Sequence, residues 1–177
     1  RLIYLGEDGR EATTMLLRPG DLFGSLVDLG DEPAPVECMT ITPACFLRIP
    51  RARFEALMRQ HAEAAYTLSR LSFSGLTRLQ SRLAEAMLFP VEVRICRVLA
   101  DIAERDGCDA EGALRVALSA TDVGRLAGTS REFATRQLLA MESAGVLRRS
   151  GRRIWILNEG ELRHRGRLDQ ARGESPR

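Results

Sequence analysis

The spacing of apolar residues changes three times along this chain, and each change marks a different kind of structure. In the first fifty residues the runs are short and half-alternating. RLIYLGEDGREATTMLL carries two such runs around Glu7-Asp8-Gly9, a hairpin signal. Arg18-Pro19-Gly20-Asp21 then predicts a turn, LFGSLVDL a further run, GDEPAP a loop, and VECMTITPACFLRIP two more strands. Short strands divided by Gly/Pro turns predict a sandwich or barrel, with too few strands here to close one.

After Pro50 the period lengthens to that of a helix. Residues 51–89 contain no Pro and a single Gly. Leu68, Leu71, Gly75, Leu79, Leu83 and Ala86 step by three or four, and Leu76 widens the same stripe. A helix this long projects from a small domain, so its stripe needs a partner. A second copy of the chain, in a coiled-coil-like seam, is the simplest one. Packing of the stripe on the chain's own β-structure is the competing expectation.

Pro90 interrupts the pattern and opens another helix, PVEVRICRVLADIAERDG, which Gly107 ends. VALS predicts a short strand. ATDVGRLAG predicts a short helix closed by Gly128, and TSREFATRQLLAMESAG a longer one closed by Gly145. VLRRSGRRIWIL predicts a hairpin turning at Ser150-Gly151, followed by a polar, Arg-rich tail. Helix, helix, tight turn, helix, hairpin is the order of a winged helix-turn-helix. Gly128 supplies a residue free to turn left-handed. Thr129 or Ser130 supplies the next cap, with Thr129-x-x-Glu132 matching the capping-box pattern. Val123, Leu126, Ala127, Phe133, Leu138, Leu139 and Met141 are expected to hold the two helices together.

That arrangement leaves Arg131, Glu132, Thr135 and Arg136 on the open side of the second helix, near its N-terminus. In a helix-turn-helix this end enters the major groove. An Arg matches guanine O6 and N7 with two hydrogen bonds, and a Glu accepts from cytosine N4. Thr129, Ser130 and the helix N-terminus suit phosphate oxygens, as do Arg148, Arg149, Arg152 and Arg153 of the hairpin. Solvent-facing charge, with Glu132 and Arg136 as an i,i+4 pair, is the bland alternative.

Charge sharpens this reading. All 26 basic residues are Arg, and the net charge is +2. Residues 119–177 hold 12 Arg against 7 acidic residues, so the remainder of the chain is net acidic. A basic C-terminal third suggests a module for a polyanion, double-stranded DNA above all. Cys38, Cys45, Cys96 and Cys108 match no zinc or redox spacing, and His61 and His164 lie far apart, so no metal site is expected. Unpaired thiols fit a reducing cytoplasm. No signal peptide or membrane-length apolar run is present in these residues. No nucleophile elbow, P-loop or zinc-hydrolase motif points to an enzyme.

RPGDLFG, LRIPRARFEALM and TDVGRLAGTSREFATRQL together resemble the bacterial cyclic-AMP receptor protein/fumarate-nitrate regulator (CRP/FNR) superfamily of transcription factors. The likeness runs to about residue 162, and the Ser-Arg-Glu-x-x-x-Arg core is its most specific part. It implies an α+β chain with a β-roll (jelly-roll-like) sensor domain, a long dimerisation helix and a C-terminal winged helix-turn-helix. The implied division is a partial cyclic-nucleotide-binding-like β-roll over 1–50, short and long helices over 51–89, a DNA-binding domain over 90–162 and a polar tail over 163–177. Part of the β-roll is expected to precede Arg1. Residue by residue, Arg131, Glu132 and Arg136 would read bases, while Ser130 and Ser119 would touch phosphate. The Arg-Glu-x-x-x-Arg order lies closer to the cyclic-AMP receptor branch, implying a TGTGA-like half-site repeated in inverted orientation by a homodimer. RNA polymerase is a further partner the family implies.

The sensor end departs from that pattern. Cyclic-AMP binders carry Gly-Glu-Leu and then Arg-Ser-Ala; here stand Gly24-Ser25-Leu26 and Ala34-Pro35-Val36-Glu37. No Arg lies between Arg18 and Arg48, so a cyclic phosphate would meet Glu37 without a cation. Ser81 lies near the helix position where such proteins touch adenine. Control by another effector, or by none, is expected. Iron–sulfur and haem sensing stay open, since the segment expected ahead of Arg1 is where iron–sulfur members carry their clustered cysteines and no axial ligand stands out in these residues. The rival to a transcription regulator is a ligand-binding or protein-interaction module whose winged helix does not read DNA.

Overall fold

The computed structural model describes residues 1–6, 11–24 and 36–168. Three strands come first: β1 (Leu2–Leu5), β2 (Glu11–Met15) and β3 (Val36–Cys38). They form one antiparallel sheet in the order β2-β1-β3, with Leu5 opposite Glu11 and Leu2 opposite Cys38. Tyr4 pairs Ala12 and Ile3 pairs Thr13, but a register shift between Leu2 and Ile3 leaves Thr14 unpaired and brings Met15 opposite Leu2.

The expected β-roll is not what these residues build. Among the described residues no sheet closes or curls, and the sheet stays an open three-stranded one. Two expected strands in 36–50 reduce to β3; in residues 39–50 Leu47 and Ile49 are exposed, and Phe46 meets only the edge of the Phe23 ring. The expected turn at Arg18–Asp21 is present: Asp21 donates its N–H to the Arg18 carbonyl at 3.0 Å, and Gly20 takes φ +89°.

The helices follow the predicted order. α1 spans Arg51–Gln60 and α2 Ala62–Leu88, with a break at the extended His61. None of the 27 residues of α2 is buried. Pro90 holds the preceding Phe89 in extended backbone, which ends α2, and α3 (Val91–Asp106) starts directly after Pro90. α4 (Ala120–Ala127) and α5 (Arg131–Ser143) follow, then the wing strands β4 (Leu147–Ser150) and β5 (Arg153–Ile156), and a short α6 (Glu159–Arg165). VALS forms no strand. This stretch and the residues before it still hook onto the wing, where Leu118 and Leu114 donate to the carbonyls of Arg152 and Ile154.

One core serves the C-terminal half. Ile95, Leu99, Ile102, Leu118, Val123, Leu138, Val146, Leu147, Ile154 and Leu162 are almost entirely buried together. Each such side chain contributes about 1.5–3 kcal/mol by leaving water. Leu139, expected among them, instead points outward at 51% exposure. It lies one position past Leu138, a rotation of about 100° that carries it off the buried face.

The sheet docks on this unit through polar contacts as well as packing. The Arg1 guanidinium lies 2.6 Å from Asp122 on α4, with both side chains buried. Arg125 of α4 meets Glu11 of β2 at 2.6 Å, and Arg18 meets Asp106 of α3 at 2.8 Å. Leu16 adds an apolar contact against the core.

Candidate nucleic-acid interface

The candidate interface is built at the junction of α4 and α5. Ser119 caps α4 in a complete capping box: its hydroxyl accepts from the Asp122 N–H, and the Asp122 carboxylate accepts from the Ser119 N–H. Gly128 then takes φ +65° and ψ +46°, the left-handed cap foreseen from sequence. Gly124 was not foreseen as special. A Cβ there would sit 3.1 Å from the carbonyl oxygens of Thr129 and Ser130, tighter than an ordinary contact, so a side chain at 124 would push the turn back by a few tenths of an ångström. A Gly four residues before the turn is the signal that pointed to it.

Ser130, and not Thr129, caps α5: its hydroxyl accepts from the Phe133 N–H at 3.2 Å. Phe133 and Ala134 face inward, Ala134 completely. Arg131, Glu132 and Arg136 are all exposed on the first turn and a half. Neither Arg131 nor Arg136 holds an ion pair among the described residues; the Arg136 guanidinium lies over the Phe133 ring at 5.2 Å. The helix-terminal N–H and the Ser130 hydroxyl hold the Glu132 carboxyl below its ordinary range. The expected Glu132–Arg136 pair does not form, while Thr135 turns its hydroxyl onto the Arg131 carbonyl at 2.8 Å. Two cations without ion pairs therefore stand exposed beside a capped helix N-terminus, with the Glu132 carboxylate exposed between them but drawn onto the helix end, a set that polyanion and base-edge recognition can use.

The other candidates are more committed. The Ser119 hydroxyl donates to Asp122 at 2.6 Å, so its single proton is engaged. Arg152 reaches the same carboxylate at 3.1 Å, and Arg153 is held by Asp109 and Glu111. Arg149 binds Glu142 at 3.3 Å. Arg148 differs: it is exposed and rests on the Trp155 ring at 4.4 Å, with no ion pair among the described residues. Sequence alone had no means of separating Arg148 from its three neighbours.

Asp122 gathers these contacts at one point. Burial raises its pKa, but the Ser119 hydroxyl and N–H, with Arg1 and Arg152, outweigh that effect and hold the carboxyl below its ordinary value.

On α2, Leu68 and Gly75 are half-buried, while Leu71, Leu76, Leu79, Leu83 and Ala86 are exposed. Phe73, Met87 and Leu88 extend the exposed apolar surface. Among the described residues the sheet buries none of this stripe. Of the effector candidates, Gly24 is exposed with φ +124°, Ser81 is exposed on α2, and Ser25 and Leu26 lie outside the described residues. Cys96 is the buried thiol, and burial pushes it up to about 11. No cluster of metal-ligating side chains occurs among the described residues, and no helix there is long and apolar enough to cross a membrane.

Comparison with known proteins agrees with this geometry. Residues 93–165 match the Crp-like helix-turn-helix domain, and residues 1–61 match the cyclic nucleotide-binding domain. The chain is 28% identical over 162 residues to the CRP-like cAMP-activated global transcriptional regulator of Mycobacterium tuberculosis, spanning 90% of this chain and 72% of that protein. It is 27% identical over 161 residues to the cAMP-activated global transcriptional regulator Vfr of Pseudomonas aeruginosa, spanning 85% and 72%. In fold it is similar to TTHB099, a CRP-family transcriptional regulator from Thermus thermophilus. The TM-score is 0.76 at 23% identity, over 94% of this chain and 82% of that one. FixK2 from Bradyrhizobium japonicum is also similar, with a TM-score of 0.71 at 20% identity, over 93% and 81%.

Proposed function

We propose that the chain is a non-enzymatic, DNA-binding transcriptional regulator of the CRP/FNR type that reads an inverted-repeat operator as a homodimer. Arg131, Glu132 and Arg136 read base edges, and a TGTGA-like half-site is the expected target. The observation that carries this reading is the exposure of all three side chains, the two cations without ion pairs, at a capped helix N-terminus. Thr129, Ser130, Arg148, Arg152 and Arg153 contact the backbone. Arg152 and Ser119 reach phosphate by exchanging Asp122 for it.

The exposed stripe of α2, from Leu68 to Ala86, supports the dimer seam, and two-fold symmetry would then set two reading helices about one DNA turn apart. Both curated relatives are named as cAMP-activated. This chain carries Gly24-Ser25-Leu26 and no Arg between Arg18 and Arg48, so its effector is a molecule other than cyclic AMP, or it needs none. The protein works in the cytoplasm, with RNA polymerase as the further partner of its DNA complex.

Selection from a randomised duplex pool, with and without cyclic AMP, tests the reading. An inverted TGTGA-like repeat enriched equally in both conditions is the expected result. Enrichment only with cyclic AMP would refute the effector assignment, and an Arg131→Ala chain that selects the same repeat would refute the assignment of bases. Arg131→Ala is expected to cost about 1–3 kcal/mol on the preferred site.

A further inference from the structure

A cleft of about 310 Å³ lies between β2, α2 and α3, on the side of the sheet that faces the winged-helix unit. Its volume is at the lower end of the ~300–1,000 Å³ range of small-molecule pockets. Six of its lining residues are Arg, and three are acidic. The acids serve a particular subset of those cations. Arg18 is held by Asp106 and Asp101, Arg97 by Glu85 at 2.9 Å, and Arg105 by Asp101, while Arg163 pairs with Glu159 at 3.8 Å.

Arg78 and Arg82 are left over. They sit one turn apart on the same face of α2, both half-buried. The Arg78 Nε is buried with no hydrogen-bond partner among the described residues. Among the described residues Arg82 donates only to the Thr14 carbonyl, at 3.0 Å. Burial pulls the Arg82 pKa below its ordinary value, more than the neighbouring Asp101 and Glu85 restore. Guanidinium groups cannot relieve such burial by losing a proton near neutral pH, so two under-compensated cations here favour an incoming anion. Ser81 and Thr77, on the next stripe of the helix, add hydroxyls at the wall.

We infer that this cleft binds the oxyanion head of a small phosphorylated ligand, clamped between the guanidinium groups of Arg78 and Arg82. A planar fork on each side matches phosphate oxygens bidentately, which a lone ammonium does not. The described lining residues come from β2, the segment after it, and the helices, so this site is separate from the Gly24 turn. Because Ala100, Ile102 and Leu126 also line it, a ligand there touches the sensor sheet, the long helix and the winged-helix core at once.

Isothermal titration of the full chain with inorganic phosphate, against chloride at matched ionic strength, tests the site. Phosphate is expected to bind the wild type, and Arg78→Ala and Arg82→Ala are each expected to weaken binding about tenfold or more. Arg59→Ala on α1 and Arg131→Ala on α5 are expected to leave it unchanged. Saturating phosphate should also raise the Tm of the wild type by about 2–4 °C, and that of Arg78→Ala not at all. Arg82→Ala removes the Thr14 bond as well, so if it fails to fold, Arg78→Ala decides alone; Arg78 holds no partner whose loss would unfold the chain. Equal binding by wild type and Arg78→Ala, or no binding by either, overturns the site. Loss of binding in Arg131→Ala also overturns it, by moving the phosphate to the reading helix. That control separates this inference from the DNA reading, since Arg131→Ala is the variant expected to impair operator recognition.

Discussion

The winged-helix unit and the long helix α2 bury their apolar residues in opposite ways. Between Ile95 and Leu162 the chain closes a core on itself, with seven of its large side chains at 0–1% exposure: Ile95, Leu99, Leu118, Leu138, Leu147, Ile154 and Leu162. In α2, Leu83, Met87 and Leu88 are 63%, 76% and 72% exposed, and nothing in the helix is buried. An amphipathic helix draws most of its stability from tertiary packing and little from propensity. The first region is therefore complete as one chain, whereas the second is completed by whatever covers its stripe. The open sheet stands between them: Ile3 is its one fully buried apolar residue among those described, and Arg1 and Thr13 share its inner face.

The contrast can be broken most sharply at Leu83. Leu83→Glu places two charges in the proposed two-fold seam and is expected to weaken dimerisation by about 3–6 kcal/mol, two lost side chains at ~1.5–3 each. Sedimentation equilibrium would read this, while circular dichroism of the helices at high concentration should change little. A Leu83→Glu chain that dimerises like wild type would remove the seam.

Asp122→Ala attacks the joint between the regions. It strands the buried Arg1 guanidinium and removes half of the α4 capping box, for an expected cost of about 3–5 kcal/mol in thermal or urea unfolding. Leu138→Ala, inside the self-contained core, is expected to cost about 2–5 kcal/mol and to leave the oligomeric state unchanged.

Acid provides a graded version of the Asp122 test. Its folded pKa is depressed, so the stability it contributes is fully present above the ordinary aspartate value of about 3.9. That contribution is lost as pH falls below this value and through the folded pKa. Asp122→Asn should flatten this part of the profile of Tm against pH; an unchanged slope would assign the acid sensitivity elsewhere.

The smallest expected effects lie in the wing. Arg148 has no ion pair to break, so Arg148→Ala should lower the salt slope of DNA binding by about one. Arg152 first has to leave Asp122, so Arg152→Ala should change the slope less. The reverse order would mean that the docked wing rearranges fully on DNA.

Much of the winged helix was legible beforehand because its signals are local. Gly128, the Pro90 entry, the wing turn and the 3.6-residue spacing act within a few residues of themselves, and the structure follows them, except that the wing turns at Gly151-Arg152, one residue later than expected, with Ser150 paired to Arg153. Ser119 shows where such reading stops. The resemblance pointed to a phosphate contact, while the folded chain engages the hydroxyl with Asp122, three residues away but anchored by Arg1 and Arg152 from elsewhere. The β-roll expectation failed for a related reason, since closure of a sheet depends on strands meeting across long separations that strand propensity does not specify.

What the sequence determined by itself was the order of helices, their caps, and which residues of α5 and α2 carry charge or apolar surface. Those properties depend on neighbours one to four positions apart. Only the tertiary structure decided that Leu139 faces out, that Gly124 packs tightly on the turn after it, that among the described residues Arg148 is the wing cation without an ion pair, and that Arg78 and Arg82 share a cleft in which neither holds one. Each of these depends on which distant groups come within about 4 Å. At that range burial and ion pairing, and not periodicity, set the energy of a side chain.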